Sequence, residues 1–131
     1  MRILAIDYGR KKIGLAVGDT ETRFAEPHSV IRFNTPEEAI DKVAKVSRVS
    51  KVSKTVLGIS EGKMAEETKE FGEKLKEELK IPVVYQDETL TTNEAQVLSI
   101  DAGIKRKKRR ELEDAYSAAL ILQAYLDLRK R

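Results

Sequence analysis

Two short apolar segments near the start of the chain, separated by only five residues, constrain the fold more than any other feature. Arg2–Asp7 (RILAID) is the kind of mostly apolar run that forms a central strand buried on both faces, and Ile13–Val17 (IGLAV) is a second such run. Between them, Tyr8–Lys12 (YGRKK) has the glycine and charged residues of a turn. Five turn residues between two apolar runs predict a hairpin. A third short strand is predicted at Ser29–Phe33.

The rest of the chain alternates between helix and strand signals. Thr35-Pro36-Glu37-Glu38 combines a capping residue, a proline at the first helical position and a glutamate three residues after the cap, which predicts a helix start. Apolar runs at Thr55–Ile59 and Pro82–Tyr85 predict two more strands. Three further helices are predicted. The first follows Gly62 and carries an apolar stripe of Met64, Phe71, Leu75 and Leu79. The second runs from the capping box at Thr91 to Gly103, and the third from about Glu111 to Leu128.

This order, β-β-β-α-β-α-β-α-α, predicts an α/β fold with a mixed sheet of about five strands flanked by helices. The first three strands should be antiparallel, and the later ones should run parallel to the first strand. At 131 residues, the chain fits one domain, residues 1–131. It has no cysteine and no apolar run near the roughly 20 residues of a membrane span, so we expect a soluble cytoplasmic protein that does not bind membranes.

Acidic residues recur where strands end or helices begin. Asp7 ends the first strand, Asp87 and Glu88 follow a later one, and ligands of open α/β sheets gather outside such ends. Asp114 lies in the first turn of the last predicted helix, in line with apolar residues at i+4 and i+7. Each acid also has an ordinary explanation as a turn, cap or helix-dipole residue. Asp87 could replace Glu88, and Glu111, one turn before Asp114, is a reserve ligand.

Converging carboxylates repel one another, and a divalent cation removes that penalty. Oxygen-only ligands favour hard cations, so the acids predict Mg²⁺ or Mn²⁺. Two such ions about 4 Å apart can activate water and stabilise the leaving oxygen during attack on a phosphodiester. The sequence therefore predicts a hydrolytic nuclease with Asp7, Glu88 and Asp114 as catalytic metal ligands.

Basic residues are clustered although the net charge is only +3. One cluster lies in the predicted hairpin turn beside Asp7, a second immediately precedes the last helix, and basic residues also end the sequence at 129–131. Such clusters are candidate phosphate contacts, although the second is equally consistent with a solvated loop. The predicted nucleic-acid contacts are Arg10, Lys11 and Lys12 in the first cluster, and Lys105, Arg106, Lys107, Lys108, Arg109 and Arg110 in the second.

Three segments together resemble the YqgF (RuvX) family, relatives of the RuvC Holliday-junction resolvases in the RNase H-like superfamily. They are Arg2–Asp19 (RILAIDYGRKKIGLAVGD), Val83–Thr92 (VVYQDETLTT) and Leu112–Asp127 (LEDAYSAALILQAYLD). The resemblance implies an RNase H-like fold and a divalent-metal site, with the family's three acids at Asp7, Glu88 and Asp114. It also places Thr91 and Thr92 among the expected nucleic-acid contacts.

The resemblance implies one of two roles, either trimming the 5′ end of precursor 16S ribosomal RNA or resolving four-way DNA junctions. The expected partner is thus structured RNA or branched DNA, and the protein could be a monomer or a homodimer. A non-catalytic nucleic-acid-binding factor would use the same basic clusters without a metal. An actin-like ATP-binding domain shares the Ile6–Gly9 turn pattern, but such ATPases need two domains, and this chain fits only one.

Overall fold

The structure is a computed structural model that describes residues 1–59, 62–87 and 112–128. The described strands are β1 (Arg2–Asp7), β2 (Lys12–Asp19), β3 (Ala25–Arg32), β4 (Lys54–Ile59) and β5 (Val83–Asp87). The described helices are α1 (Pro36–Val49), α2 (Lys63–Leu79) and α3 (Glu113–Leu128). The predicted helix from Thr91 to Gly103 lies outside the described residues.

The five strands form one mixed sheet in the order β3-β2-β1-β4-β5. β1 pairs antiparallel with β2, and β2 pairs antiparallel with β3. β4 pairs parallel with both β1 and β5. The predicted mixed sheet, with three antiparallel strands followed by parallel ones, is therefore confirmed.

The predicted strand boundaries were less accurate at the edge of the sheet. β3 begins at Ala25, four residues before the predicted start at Ser29, and it contains Pro27. As an edge strand, β3 is only partly buried, so its polar residues hide the strand from a search for apolar runs. Proline is tolerated there because an edge strand has a side without ladder hydrogen bonds. In β2, Lys12 belongs to the strand and not to the turn.

The structure confirms the predicted start of α1. The Thr35 hydroxyl accepts a hydrogen bond from the Glu38 backbone N–H at 3.1 Å, and Pro36 occupies the first helical position. Its predicted inner face is buried, comprising Ile40, Val43, Ala44 and Ser47. Within the described ranges, no helix combines the length and apolar character needed to cross a membrane.

The helices divide unequally between the two faces of the sheet. α1 and α2 cover one face, where their side chains pack on Leu4, Ile6 and Leu15. α3 covers the other face, where it packs on Ile3, Ala5 and Ala16. We refer to these as the α1/α2 face and the α3 face; the difference between them positions the candidate site.

Candidate active site

Asp7 lies at the carboxyl end of β1 and on the α3 face of the sheet. Successive side chains of a strand point to opposite faces, and Ile3 and Ala5 both pack against α3. Asp7 continues that alternation by two residues and pairs directly with Gly14 of β2. The strand therefore directs this carboxylate toward the side of the sheet that α3 covers.

Gly14 brings the start of α3 against the sheet beside Asp7. A Cβ atom at Gly14 would overlap the backbone carbonyl of Asp114 and would lie 2.8 Å from the backbone nitrogen of Ala115. The first turn of α3 thus rests directly on β2, one strand away from Asp7. Glycine inside a strand often marks such a close backbone approach, and this is a sequence signal that our prediction did not use.

Asp7 and Asp114 line the same open cleft, which has a volume of about 450 Å³. The other residues of this acid cleft are Tyr8, Gly9, Arg10, Lys11 and Lys12. The Asp114 side chain is 27% exposed, so it is partly desolvated but still reachable from solvent. Two of the three predicted acids thus meet at one end of the sheet, although they are more than 100 residues apart in sequence.

The third predicted acid, Glu88, lies outside the described residues, as does the reserve ligand Glu111. Asp87 is described and ends β5. Val83 and Tyr85 pack on the α1/α2 face, whereas Val84 packs on the α3 face. Asp87 shares the parity of Val83 and Tyr85, so it occupies the face opposite to Asp7.

Gln86 is a polar residue near the acid cleft that the sequence analysis missed. It follows Val84 on the α3 face of β5, it is only 7% exposed, and its Nε2 atom has no hydrogen-bond partner among the described residues. Gln86 pairs with Gly58 of β4. Ile6 of β1 pairs with Leu57 of β4, so the next residues along these two parallel strands, Asp7 and Gly58, are also level. Asp7, Gly58 and Gln86 therefore form a row across three adjacent strands. Gly58, which has no side chain, lies between the carboxylate and the carboxamide in this row.

The basic turn, defined as Arg10, Lys11 and Lys12, is divided between two acidic partners. The Lys12 Nζ atom lies 3.1 Å from a carboxylate oxygen of Asp114 on α3. The Arg10 Nε–H donates a hydrogen bond to a carboxylate oxygen of Glu67 on α2 at 3.1 Å, and Arg10 Nη2 lies 3.1 Å from the same oxygen. Lys11 is exposed, and its side chain has no ion pair within the described ranges. The other predicted nucleic-acid contacts, Thr91, Thr92 and Lys105 to Arg110, lie outside the described residues.

Tyr8 anchors this turn to the α1/α2 face. Its ring centroid lies 4.7 Å from that of Phe71 and 6.5 Å from that of Phe33. Burial raises the pKa of the Tyr8 phenol above its usual value of 10.0, and the nearby Glu67 carboxylate raises it further. The phenol is therefore neutral at physiological pH and adds no negative charge to the cleft.

Carboxylate oxygens facing one cleft are the donors that Mg²⁺ and Mn²⁺ prefer, so Asp7 and Asp114 fit a divalent cation. Within residues 1–59, 62–87 and 112–128, no group of three or more histidine, cysteine or acidic side chains is arranged to hold a metal ion. The described part of the site is thus a pair of carboxylates, and a complete metal site needs a further ligand.

Comparison with known proteins identifies relatives along almost the whole chain. The RuvX family model, described as Holliday junction resolvase, matches residues 1–128. A protein of Lactococcus lactis subsp. cremoris is 39% identical over 134 aligned positions, covering 96% of this chain and 94% of that protein. One from Caldanaerobacter subterraneus is 37% identical and covers 99% of both chains. Both relatives carry the name "Putative pre-16S rRNA nuclease".

Solved structures share the fold at much lower sequence identity. RuvC of Thermus thermophilus, in complex with a Holliday junction substrate, superposes with a TM-score of 0.67 at 15% identity, covering 99% of this chain and 97% of RuvC. The fowlpox virus resolvase, also with junction DNA, gives a TM-score of 0.65 at 15% identity and covers both chains completely. These proteins confirm the predicted RNase H-like fold class. With a family model matched from residue 1 to residue 128, this chain belongs to the RuvX family.

Proposed function

We propose that this protein is a divalent-metal-dependent nuclease that processes the 5′ end of precursor 16S ribosomal RNA. The observation that carries the proposal is the meeting of Asp7 and Asp114 in one cleft bordered by the basic turn. Glu88 is the proposed third acid, since alternation along β5 places Asp87 on the other face. When bound to these acids, Mg²⁺ or Mn²⁺, as one ion or a pair, would supply Lewis-acid activation of water and of the scissile phosphate.

The chain's own residues have three tasks in this proposal. Asp7 and Asp114 hold the cation through carboxylates that β1 and the first turn of α3 keep in place. The basic turn neutralises phosphate charge next to the cut, and Lys11 is exposed there without an ion pair within the described ranges. The partly buried Tyr8 ring keeps the turn against the sheet, which fixes the position of Asp7 relative to these cations.

Precursor 16S RNA is proposed as the substrate because the two relatives above bear that name at 37% to 39% identity over nearly the full chain. A four-way DNA junction is the second candidate, favoured by the description of the family model. The two substrates make different demands on assembly. Resolution of a junction requires two cuts related by symmetry, hence a homodimer, whereas trimming an RNA end requires one site.

The test is cleavage of a 5′-extended precursor RNA fragment and of a four-way DNA junction by the unmodified protein, Asp7→Asn and Asp114→Asn. Each asparagine keeps the shape of the side chain but removes its charge, so we expect cleavage to fall on the order of 10³-fold, the scale of losing one member of a catalytic set. Asp41→Asn, on the exposed side of α1, is the matched control and should cleave normally. Reactions in Mg²⁺, Mn²⁺ and EDTA test the metal requirement.

The result that contradicts the proposal is full cleavage by Asp7→Asn, or cleavage in EDTA. Tight RNA binding without cleavage in any metal would instead indicate a non-catalytic binding factor. Preference for the RNA or for the junction decides between the two substrates.

A further inference from the structure

The ion pair between Lys12 and Asp114 places an ammonium group on a proposed metal ligand. Lys12 begins β2, and two residues later comes Gly14, on which the Asp114 backbone rests. Side chains two apart on a strand share a face, so Lys12 belongs to the α3 face together with both acids. The 3.1 Å contact and the shared cleft agree with that placement.

This pair can be broken at small cost. The Lys12 side chain is 45% exposed and the Asp114 side chain is 27% exposed. Ion pairs with this much solvent access contribute only about 0–1 kcal/mol. A divalent cation shared by Asp7 and Asp114 would attract the same carboxylate more strongly than a single ammonium does, and it would repel that ammonium.

Arg10 differs from Lys12 in the location of its ion-pair partner. Its carboxylate partner, Glu67, is on α2, which covers the opposite face of the sheet from α3. A cation held by Asp7 and Asp114 would therefore not compete with Arg10 for its partner. Of the three basic residues in the turn, only Lys12 has its ion-pair partner within the proposed metal site among the described residues.

We infer that Lys12 is an exchangeable positioning residue: it pairs with Asp114 when no divalent ion is bound, and it transfers to a phosphate oxygen of the nucleic acid when the ion binds. This inference rests on the proposed function. The exchange couples metal binding to nucleic-acid binding, because the bound metal releases the Lys12 ammonium, which then strengthens binding of the substrate. Lys11, exposed in the same turn, binds phosphate whether or not metal is present.

The first test measures Mn²⁺ binding without nucleic acid, by electron paramagnetic resonance, in the unmodified protein, Lys12→Gln, Lys12→Arg and Lys11→Gln. Removal of the competing charge in Lys12→Gln should tighten Mn²⁺ binding by about threefold or more, in line with the small strength of an exposed ion pair. Lys12→Arg keeps the charge and should bind Mn²⁺ as the unmodified protein does. Lys11→Gln controls for a general loss of positive charge and should change Mn²⁺ affinity by less than about twofold, because exposed charges are screened.

The second test measures how salt weakens binding of the 5′-extended RNA fragment and of the DNA junction, in Ca²⁺ and in EDTA. Each phosphate contact contributes close to one to the slope of log affinity against log salt. In the unmodified protein the slope should steepen by about one when Ca²⁺ replaces EDTA. In Lys12→Gln it should not steepen, whereas in Lys11→Gln the slope should be shallower under both conditions and still steepen with Ca²⁺.

The possible failures are distinguishable. Equal Mn²⁺ affinity in the unmodified protein and Lys12→Gln overturns the inference and leaves the proposed nuclease intact. Equal tightening in Lys12→Gln and Lys11→Gln also overturns it, since the effect would then be overall charge. Absence of Mn²⁺ binding by the unmodified protein overturns both the inference and the proposed metal-dependent function.

Discussion

The two faces of the sheet are built from side chains of different sizes, and only one of them carries the candidate site. The α1/α2 face is filled by large apolar residues, among them Leu4, Ile6, Leu15, Phe71 and Leu75. On the α3 face, β2 presents a series of small residues to the helix, namely Gly14, Ala16 and Gly18. α3 also has small buried residues, including Ala115 and Ala118.

The difference teaches that the two faces serve separate purposes. Among the described residues, the strand side chains on the α1/α2 face are the larger ones, so removing one of them exposes or empties more apolar volume than removing a small side chain of β2 on the α3 face. Small side chains let the backbone of α3 approach the sheet closely enough to place Asp114 beside Asp7. Substitutions on the α1/α2 face should therefore change mainly stability, whereas those beside Asp7 and Asp114 on the α3 face should also lower activity.

The largest expected effect is on the α1/α2 face. Leu15→Ala removes a fully buried side chain and should lower the free energy of unfolding by about 2–5 kcal/mol, measured by urea denaturation. At a temperature where the variant remains folded, its cleavage rate per folded molecule should match that of the unmodified protein. A loss of cleavage as large as that from a substitution beside Asp114 would remove the distinction between the faces.

Next in size is Gly14→Ala on the α3 face. The added Cβ pushes the first turn of α3 away from β2, and a displacement near 1 Å can reduce catalysis about 100-fold. Crowding should also cost about 1–3 kcal/mol of stability. The control is Gly18→Ala, whose Cβ would crowd the Leu122 side chain and the Phe24 carbonyl farther along the same strand. It should destabilise comparably yet retain cleavage per folded molecule; equal loss of cleavage in both variants would contradict the local role of Gly14.

A smaller effect should distinguish two glutamines on the α3 side of the sheet. Gln86 has a buried Nε2 atom with no hydrogen-bond partner among the described residues, so Gln86→Leu should stabilise the protein by about 1 kcal/mol. Gln123 accepts a hydrogen bond from the Ala25 N–H and donates to the Arg23 carbonyl, so Gln123→Leu should destabilise it by about the same amount. Urea denaturation of both variants measures whether the free energy of unfolding rises or falls. Destabilisation by Gln86→Leu would imply that its carboxamide is satisfied in solution.

The smallest effect concerns pH and the aromatic contact at the end of the α1/α2 face. Burial raises the pKa of Tyr8 in the folded protein, so the folded state holds this proton more tightly than the unfolded state does. Its contribution to stability is complete below the unfolded pKa of 10.0 and is lost as pH rises through the higher folded value. Tyr8→Phe should therefore lose less stability than the unmodified protein between pH 9 and pH 11. Identical losses in thermal melts across that range would contradict the assignment.

Much of this architecture could be predicted from local patterns. The two apolar runs around the basic turn, the capped helix at Pro36 and the alternation of strands and helices led to the mixed sheet that the structure contains. The edge strand β3 was predicted too short because partial burial leaves no continuous apolar run. Asp7 and Asp114 were predicted together, and they line one cleft. Glu88 and the basic run from Lys105 to Arg110 stay predictions.

By itself, then, the sequence determined the order of the elements and the residues able to bind a cation, because apolar periodicity, caps and carboxylates are local properties of the chain. Only the tertiary structure decided which charges face one another. It joins Lys12 to Asp114, joins Arg10 to Glu67 and places Asp87 on the face away from Asp7. The physical reason is that a side chain's direction depends on strand register and on how closely α3 approaches Gly14, and both depend on packing between segments far apart in sequence.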